Sequence, residues 1–285
     1  MCWKKSSAGS VSGNRHERPT LNIERPTSNE KQTFIAIFTL MNKGHRNNLE
    51  RNLDPTEARN LLERGARVLG LDLAPDQIDR FLTYLDLLLK WNRKMNLTAL
   101  RSPREIIIHH FLDSLLLLPY LPETGNLLDL GSGAGFPGIP LKIARPGLTI
   151  DLVEATAKKA SFLKEVIRCL GLSEIAVRPV FLGKSPMPFE PANPWEVFLS
   201  RGVNLRDVLK AVGPYWGSRQ RLMLMKGKDW EKEISGLAPL LKKMEIIVDQ
   251  TVTITPPLSE REWVLVILKK SNHLTGLPYN YYTLV

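Results

Sequence analysis

The apolar run Asn126-Leu127-Leu128-Asp129-Leu130, leading straight into Gly131-Ser132-Gly133-Ala134-Gly135, constrains the fold of this chain more than any other stretch. An apolar run that stops on a glycine-rich turn and resumes as a helical pattern describes a strand, a tight loop and a helix N-terminus. That is the opening unit of a parallel sheet with crossover helices. Further runs repeat the alternation at Leu148 to Glu154, Ile175 to Val180, Glu196 to Ser200 and Arg221 to Met225, with helical stretches between them. Met244 to Ile254 and Trp263 to Lys269 differ, because Thr255-Pro256-Pro257-Leu258-Ser259 between them is too short for a crossover helix. These two runs should pair antiparallel. The expected fold is α/β: a mostly parallel Rossmann-like sheet closed by an antiparallel hairpin.

A helical region precedes the sheet. Ile78, Phe81, Leu82, Leu85, Leu88 and Leu89 recur at spacings of three and four, so one face of that helix is buried. A second helix has a start signal in Ser102, Pro103 and Glu105, the spacing of a capping box, ahead of Ile106-Ile107-Ile108. Pro119 and Pro122 end it. The first 50 or so residues are polar, lack periodicity and contain Pro19 and Pro26, which predicts disorder; Met41 is an alternative start. The expected organisation is an extension over 1–52, a helical region over 53–122, a ligand-binding α/β domain over 123–271 and a tail over 272–285.

Charge and cysteine content narrow the partners. The 285 residues carry 39 Lys+Arg against 29 Asp+Glu, a formal net charge of +10. Such a balance favours a polyanion, because neutralising phosphates releases counterions. Residues 1 to 60 supply four of those ten charges, and the remainder still carries six. The only cysteines, Cys2 and Cys169, lie far apart, which argues against a disulfide framework or a thiolate metal site and suits a reducing cytoplasm. The longest apolar runs, Phe34 to Leu40 and Leu115 to Leu118, fall far short of the ~20 residues that span a bilayer. About thirty polar residues precede the first of them, unlike a secretory leader. The expectation is a cytoplasmic monomer with no metal and no membrane association.

A glycine loop at a strand's carboxyl end is by itself compatible with a bare turn or with several nucleotide ligands. Three features choose among these. The dinucleotide fingerprint wants glycine or alanine at its sixth position, where Phe136 stands, while Gly135 gives a tighter G-x-G-x-G form. Glu154 ends the second strand, 23 residues after Gly131, where a carboxylate can accept from both hydroxyls of a ribose. The closing antiparallel hairpin is characteristic of class I methyltransferase sheets. Together they point to S-adenosyl-L-methionine, which lacks a pyrophosphate, so the loop would serve close approach rather than phosphate cradling. Arg201 and Lys226 end the fourth and fifth strands and should share that rim, where they could hold a phosphate. A surface salt bridge is the plainer reading of each.

The segments Lys90-Trp91-Asn92-Arg93-Lys94-Met95-Asn96-Leu97-Thr98, His110-Phe111-Leu112-Asp113-Ser114 and Asp129 to Pro140 resemble the bacterial small-subunit ribosomal RNA guanine-N7 methyltransferases, the glucose-inhibited division protein B family. Ser200-Arg201 and Leu224-Met225-Lys226-Gly227 extend the likeness, which runs from about Leu69 to Lys270. The resemblance implies methyl transfer to N7 of one guanine in small-subunit (16S) ribosomal RNA, with the RNA or the small ribosomal subunit as partner. It implies catalytic roles for Arg201, Lys226, His110 and Asp113. The implied cofactor site comprises Asp129, Gly131, Ser132, Gly133, Gly135, Phe136, Glu154 and Arg201. Trp91, Asn92, Asn96 and Thr98 read more readily as fixing a helix end than as stacking on bases.

Guanine N7 presents a free lone pair, so its methylation needs positioning rather than a base, and positioning supplies roughly 7 to 11 kcal/mol of a barrier. A cytosine-C5 enzyme would need a cysteine at the site, whereas Cys169 falls in the helix after Glu154; Ser200-Arg201-Gly202 stands where adenine-N6 enzymes carry a Pro-Pro-aromatic motif. One stretch departs from the family. Val180-Phe181-Leu182-Gly183-Lys184 replaces the usual Arg, small residue and acidic residue after the third strand, removing the acidic group expected beside the adenine. Two other readings therefore stand beside the first: a methyltransferase for another RNA site or a small molecule, and a non-catalytic RNA-binding protein with a degenerate pocket.

Overall fold

The computed structural model describes residues 53–182, 189, 193–259 and 261–271. The 1–52 extension with Cys2, the 272–285 tail, Gly183 and Lys184 lie outside the described residues. Helix α1 (Pro55–Val68) opens on a capping box, with Asp54 accepting from the N–H groups of Thr56 and Glu57 and Glu57 reaching back to Asp54 N. Helix α2 (Pro75–Met95) buries Ile78, Phe81, Tyr84, Leu85 and Leu88 along one stripe, while Leu82 and Leu89 sit half-buried at its margin. It stops where Asn96 turns left-handed at φ 48. Asn92 then ties the following loop by accepting from Thr98 N and donating to Leu100 O, and Trp91 leans on Phe162 with ring centres 5.6 Å apart. The Lys90–Thr98 segment fixes a helix end, as its residues suggested.

The next helix departs from expectation at its start. Ser102 occupies the N-cap position of α3 (Pro103–Ile106) but its side chain caps nothing, so the expected box with Glu105 is not made. The α-helical turn lasts four residues before passing into a π-helical turn, Ile107–Leu112, and then α4 (Asp113–Leu115). Glu105 remains exposed, with its charge bearing on His109 instead.

Seven strands follow: β1 (Gly125–Leu130), β2 (Leu148–Val153), β3 (Ile175–Arg178), β4 (Val197–Arg201), β5 (Arg221–Lys226), β6 (Ile246–Ile254) and β7 (Trp263–Lys270). They form one sheet in the order β3-β2-β1-β4-β5-β7-β6. The first five pair in parallel; β7 runs antiparallel to both β5 and β6. Both faces are covered, so the central strands are apolar on both sides. Leu127, Met223, Met225, Leu265 and Ile267 join the core beneath α1, α2, α5 (Gly138–Ala144) and α6 (Ala157–Leu170). Leu128, Leu130, Leu222, Leu224, Val266 and Leu268 join the opposite core beneath α7 (Leu205–Val212), α8 (Trp230–Gly236) and α9 (Ala238–Lys243).

The helical segment lies on the sheet rather than apart from it, since its apolar stripe belongs to the first of those cores. Gln77 donates to the carbonyls of Ile143 and Ala144 at the end of α5, a second tie across the same seam. Gly65 in α1 lies against the π-helical turn, where a Cβ would fall 2.2 Å from Leu112 Cδ1. A helical glycine costs about 1 kcal/mol against alanine, so packing explains its presence. We expect Gly65→Val to destabilise the protein by about 1 to 3 kcal/mol through overpacking. In urea denaturation the midpoint should fall at unchanged slope; an unmoved midpoint would show that Leu112 yields freely.

Candidate active site at the strand carboxyl ends

The loop after β1 is pinned from behind. Gly131 N and Ser132 N both donate to Val153 O at 2.9 Å, and Gly135 N and Phe136 N both donate to Ser132 O. Gly133 N donates to Glu154 Oε2 at 3.0 Å, and Thr156 N to Glu154 Oε1 at 2.7 Å. Five of the loop's backbone donors are thereby used within the protein, so the loop offers shape rather than a nest of free N–H groups. Gly131 is at φ +73, and a Cβ there would fall 2.3 Å from Val203 Cγ2. Gly133, at φ +59, would carry its Cβ into open space, with nothing nearer than Gly131 O at 3.9 Å. Ser132, Ala134, Gly135 and Phe136 are buried, leaving the faces of Gly131 and Gly133 to solvent.

Asp129 and Glu154, two of the expected cofactor residues, occupy different depths. Asp129 is fully buried on the helical side of β1, where Oδ2 accepts from Gly138 N at 3.0 Å and Oδ1 has no partner. Burial pushes its carboxyl up to about 7 against the opposing hydrogen bond from Gly138. It holds the start of α5 to the strand. Glu154, 6% exposed, stands at the rim and bridges the loop to Thr156, the N-cap of α6.

Arg201 ends β4 and draws the helical region onto the sheet. Its Nη2 donates to His109 O at 2.6 Å and lies 3.5 Å from both Asp113 Oδ2 and His110 Nδ1, while Nη1 has no partner. The guanidinium also lies over the Trp263 ring, 5.1 Å from its centre, and Trp263 Nε1 donates to Asp113 Oδ2 at 2.9 Å. The π-helical turn presents both the His109 carbonyl and His110; such turns recur at functional sites. The side chains of His110 and Asp113 both lie 3.5 Å from Arg201 Nη2, while the Asp113 N–H donates to His110 O along the turn.

His110 is built to stay neutral. Arginine has only donors, so Nδ1 facing Arg201 accepts and the proton resides on Nε2, 2.7 Å from Thr98 Oγ1. Burial first, and then Arg201, push its pKa down to about 3. The imidazole stacks on Phe136 with centres 4.2 Å apart and an 18° tilt. Lys226 ends β5 at the same rim but is engaged elsewhere, pairing with Glu233 Oε2 at 2.8 Å and donating to Val203 O. Glu233 in turn accepts from Leu205 N. Cys169 is exposed on α6, beside Glu165.

Tyr84 was not among the residues singled out from sequence, yet it supports the loop directly. Its hydroxyl donates to Ala134 O, and its ring stacks on Phe136 and Phe111. A tyrosine on an otherwise apolar stripe is the available signal, because a buried hydroxyl needs a partner. Trp263 and Arg261, at the opening of β7, were likewise unmarked.

The buried Asp129 gives a stability prediction. Its folded pKa of about 7 lies above the ordinary 3.8, so the folded state binds the extra proton between those values. Its contribution is full below about pH 3.8 and is lost as pH rises through about 7. The amide of an Asp129→Asn variant does not titrate. The thermal midpoint of that variant relative to wild type should therefore rise between about pH 4 and 7 in the ligand-free protein; a difference independent of pH would overturn this assignment.

The rRNA small subunit methyltransferase G (GidB) family model matches residues 77–262. A ribosomal RNA small subunit methyltransferase G from Syntrophotalea carbinolica is 37% identical over 213 residues, covering 74% of this chain and 98% of that protein. Its counterpart from Dichelobacter nodosus is 35% identical over 78% of this chain and all of the relative; that from Xylella fastidiosa strain M23 is 40% identical over 73% and 93%. With a family match across the α2-to-β7 connection and relatives covered almost end to end, the chain belongs to the GidB family of rRNA small subunit methyltransferases G.

Proposed function

We propose that this protein transfers a methyl group from S-adenosyl-L-methionine to N7 of a guanine in small-subunit (16S) ribosomal RNA. The observation that carries the reading is a site rich in positioning groups and poor in bases. His110, the one imidazole stacked within it, has its acceptor nitrogen turned to Arg201 and is held neutral far below physiological pH. A ring nitrogen with a free lone pair needs no deprotonation, so orientation suffices.

The residues fit the cofactor. The loop's internally satisfied donors suit a ligand without pyrophosphate, open space above Gly133 admits close approach, and Glu154 retains acceptor capacity at the rim for ribose hydroxyls. When bound, S-adenosyl-L-methionine supplies an electrophilic methyl group on a sulfonium. Gly131 and Gly133 would admit it, Glu154 would fix its ribose, and Asp129 would hold the loop and α5 together from behind. Arg201, tied at Nη2 and with a buried Nη1 that lacks a partner, would orient the guanine at O6 once the bound nucleotide uncovers that nitrogen. Lys226 would act on the RNA only by sharing or leaving its pair with Glu233.

A cytoplasmic, monomeric enzyme acting on RNA or the small subunit completes the proposal; no helix among the described residues is long and apolar enough to cross a membrane. A second reading, another RNA site or a small molecule, is favoured by the atypical adenine side. There Phe181 is 66% exposed and Leu182 Cδ1 comes within 3.8 Å of where a Gly131 Cβ would stand.

The deciding experiment incubates the protein with labelled S-adenosyl-L-methionine and small subunits lacking native methylation, followed by chemical cleavage at N7-methylguanine. Label at one guanine N7 is expected; label elsewhere supports the second reading, and label nowhere removes both. Glu154→Ala should weaken cofactor binding by about tenfold or more, as expected when a charged hydrogen-bond acceptor worth roughly 1.5 to 3 kcal/mol is lost. Lys226→Ala should chiefly lower RNA turnover. Cofactor affinity unchanged in the first variant would remove Glu154 from the site. Because His110 does not titrate near neutrality, His110→Asn should leave the shape of the kcat profile between about pH 5 and 9 unaltered. An inflection that disappears in the variant would make His110 a proton carrier.

A further inference from the structure

Antiparallel pairing returns β7 to the rim where the parallel strands end. Lys226, the last residue of β5, registers with Val264, so Trp263 and Arg261 arrive at the edge occupied by the glycine loop and Arg201. Trp263 is locked there through Nε1 to Asp113, and its ring carries two guanidinium groups, Arg201 at 5.1 Å and Arg261 at 6.0 Å. The two arginines differ in what they have left to offer. Arg201 is largely buried and engaged with the helical region. Arg261 is exposed and makes no ion pair with any described residue.

Asp113 is buried against Trp263 and Arg201 and feels both guanidinium groups, while Glu105 bears on His109 and exposed Glu262 adjoins Arg261 in the chain. The positive field of Arg261 reaches inward: after burial it is the next influence holding His109 below its ordinary pKa, and it also bears on His110, Asp113 and Arg201. A nucleotide turned into such a cleft brings its own phosphate to the rim. An arginine stacked on an aromatic ring is preorganised to receive phosphate at lower entropic cost than a free surface side chain.

We propose that Arg261, held over Trp263 beside Arg201, binds a backbone phosphate of the RNA segment that carries the target nucleotide. Trp263 is the positioning residue for both guanidinium groups. The inference rests on the RNA methyltransferase reading and adds to it a phosphate subsite on the β6–β7 connection.

The test measures binding of the full chain to deproteinised, unmethylated small-subunit ribosomal RNA across a potassium chloride series, together with KM for that RNA. Arg261→Gln should weaken RNA binding several-fold and reduce the magnitude of the salt slope by roughly 0.7 to 0.9, the loss of one phosphate contact. Cofactor affinity and thermal midpoint should stay as in wild type. Arg261→Lys should restore the salt slope, because it keeps the charge. Trp263→Phe should raise KM for RNA while leaving the slope near wild type. An Arg261→Gln protein with wild-type affinity and slope overturns this inference alone, provided that the wild type methylates the RNA; a wild type that neither binds nor methylates it overturns the functional reading and this inference together.

Discussion

The buried guanidinium of Arg201 is the joint on which the rest of the site depends. A cation with only 12% of its side chain exposed has lost most of its water, and removing a single partner from such a buried pair costs about 3 to 5 kcal/mol. Its compensation comes from three directions: the His109 carbonyl, the Asp113 carboxylate and the face of Trp263. Those groups belong to the π-helical turn, to α4 and to β7, while Arg201 itself ends β4. One side chain thus specifies how the helical segment lies on the sheet edge. The π-helical turn can be understood in the same terms, because it presents a carbonyl and the adjoining carboxylate to one guanidinium.

The glycine loop depends on this joint through Phe136. That ring is stacked between Tyr84 of α2 and His110 of the π-helical turn, and Tyr84 also bonds the loop carbonyl of Ala134. The helical segment therefore forms one wall of the pocket, and sliding it along the sheet would move the loop. This also explains why phenylalanine stands at the position where a dinucleotide fold wants glycine or alanine. At that position the chain needs an aromatic surface for the helical segment, and it has no need of close backbone approach to a pyrophosphate.

Most of the sheet could be read from local pattern because its central strands are apolar on both faces and are separated by helical stretches. The hairpin between β6 and β7 followed from the length of its connection alone. The capping box at Ser102 and Glu105 failed for a reason no local rule contains: the helix it would start is pulled into a π-helical turn by contacts to β4 and β7, far along the chain. The pairing of Lys226 with Glu233 is of the same kind, because it depends on how α8 turns back over the end of β5. Trp263 and Arg261 were invisible as site residues until the antiparallel register placed them beside Arg201. Motif residues announce themselves locally; those that support them are assigned by topology.

The departure after β3 shifts where recognition of the methyl donor must reside on the proposed reading. With no acidic residue at the positions Val180 to Lys184, the carboxylate left to accept from the nucleoside is Glu154, already holding Gly133 N and Thr156 N. A carboxylate has about four acceptor positions, so two remain for ribose hydroxyls. The adenine would then rely on apolar contact, for which exposed Phe181 and half-buried Leu182 are the nearest side chains after β3. Apolar stacking discriminates weakly among bases, whereas an acceptor built for an amino group discriminates strongly. The pocket should therefore be selective for the ribose and methionine ends of its ligand and tolerant at the base, the reverse of a site with its carboxylate beside the adenine.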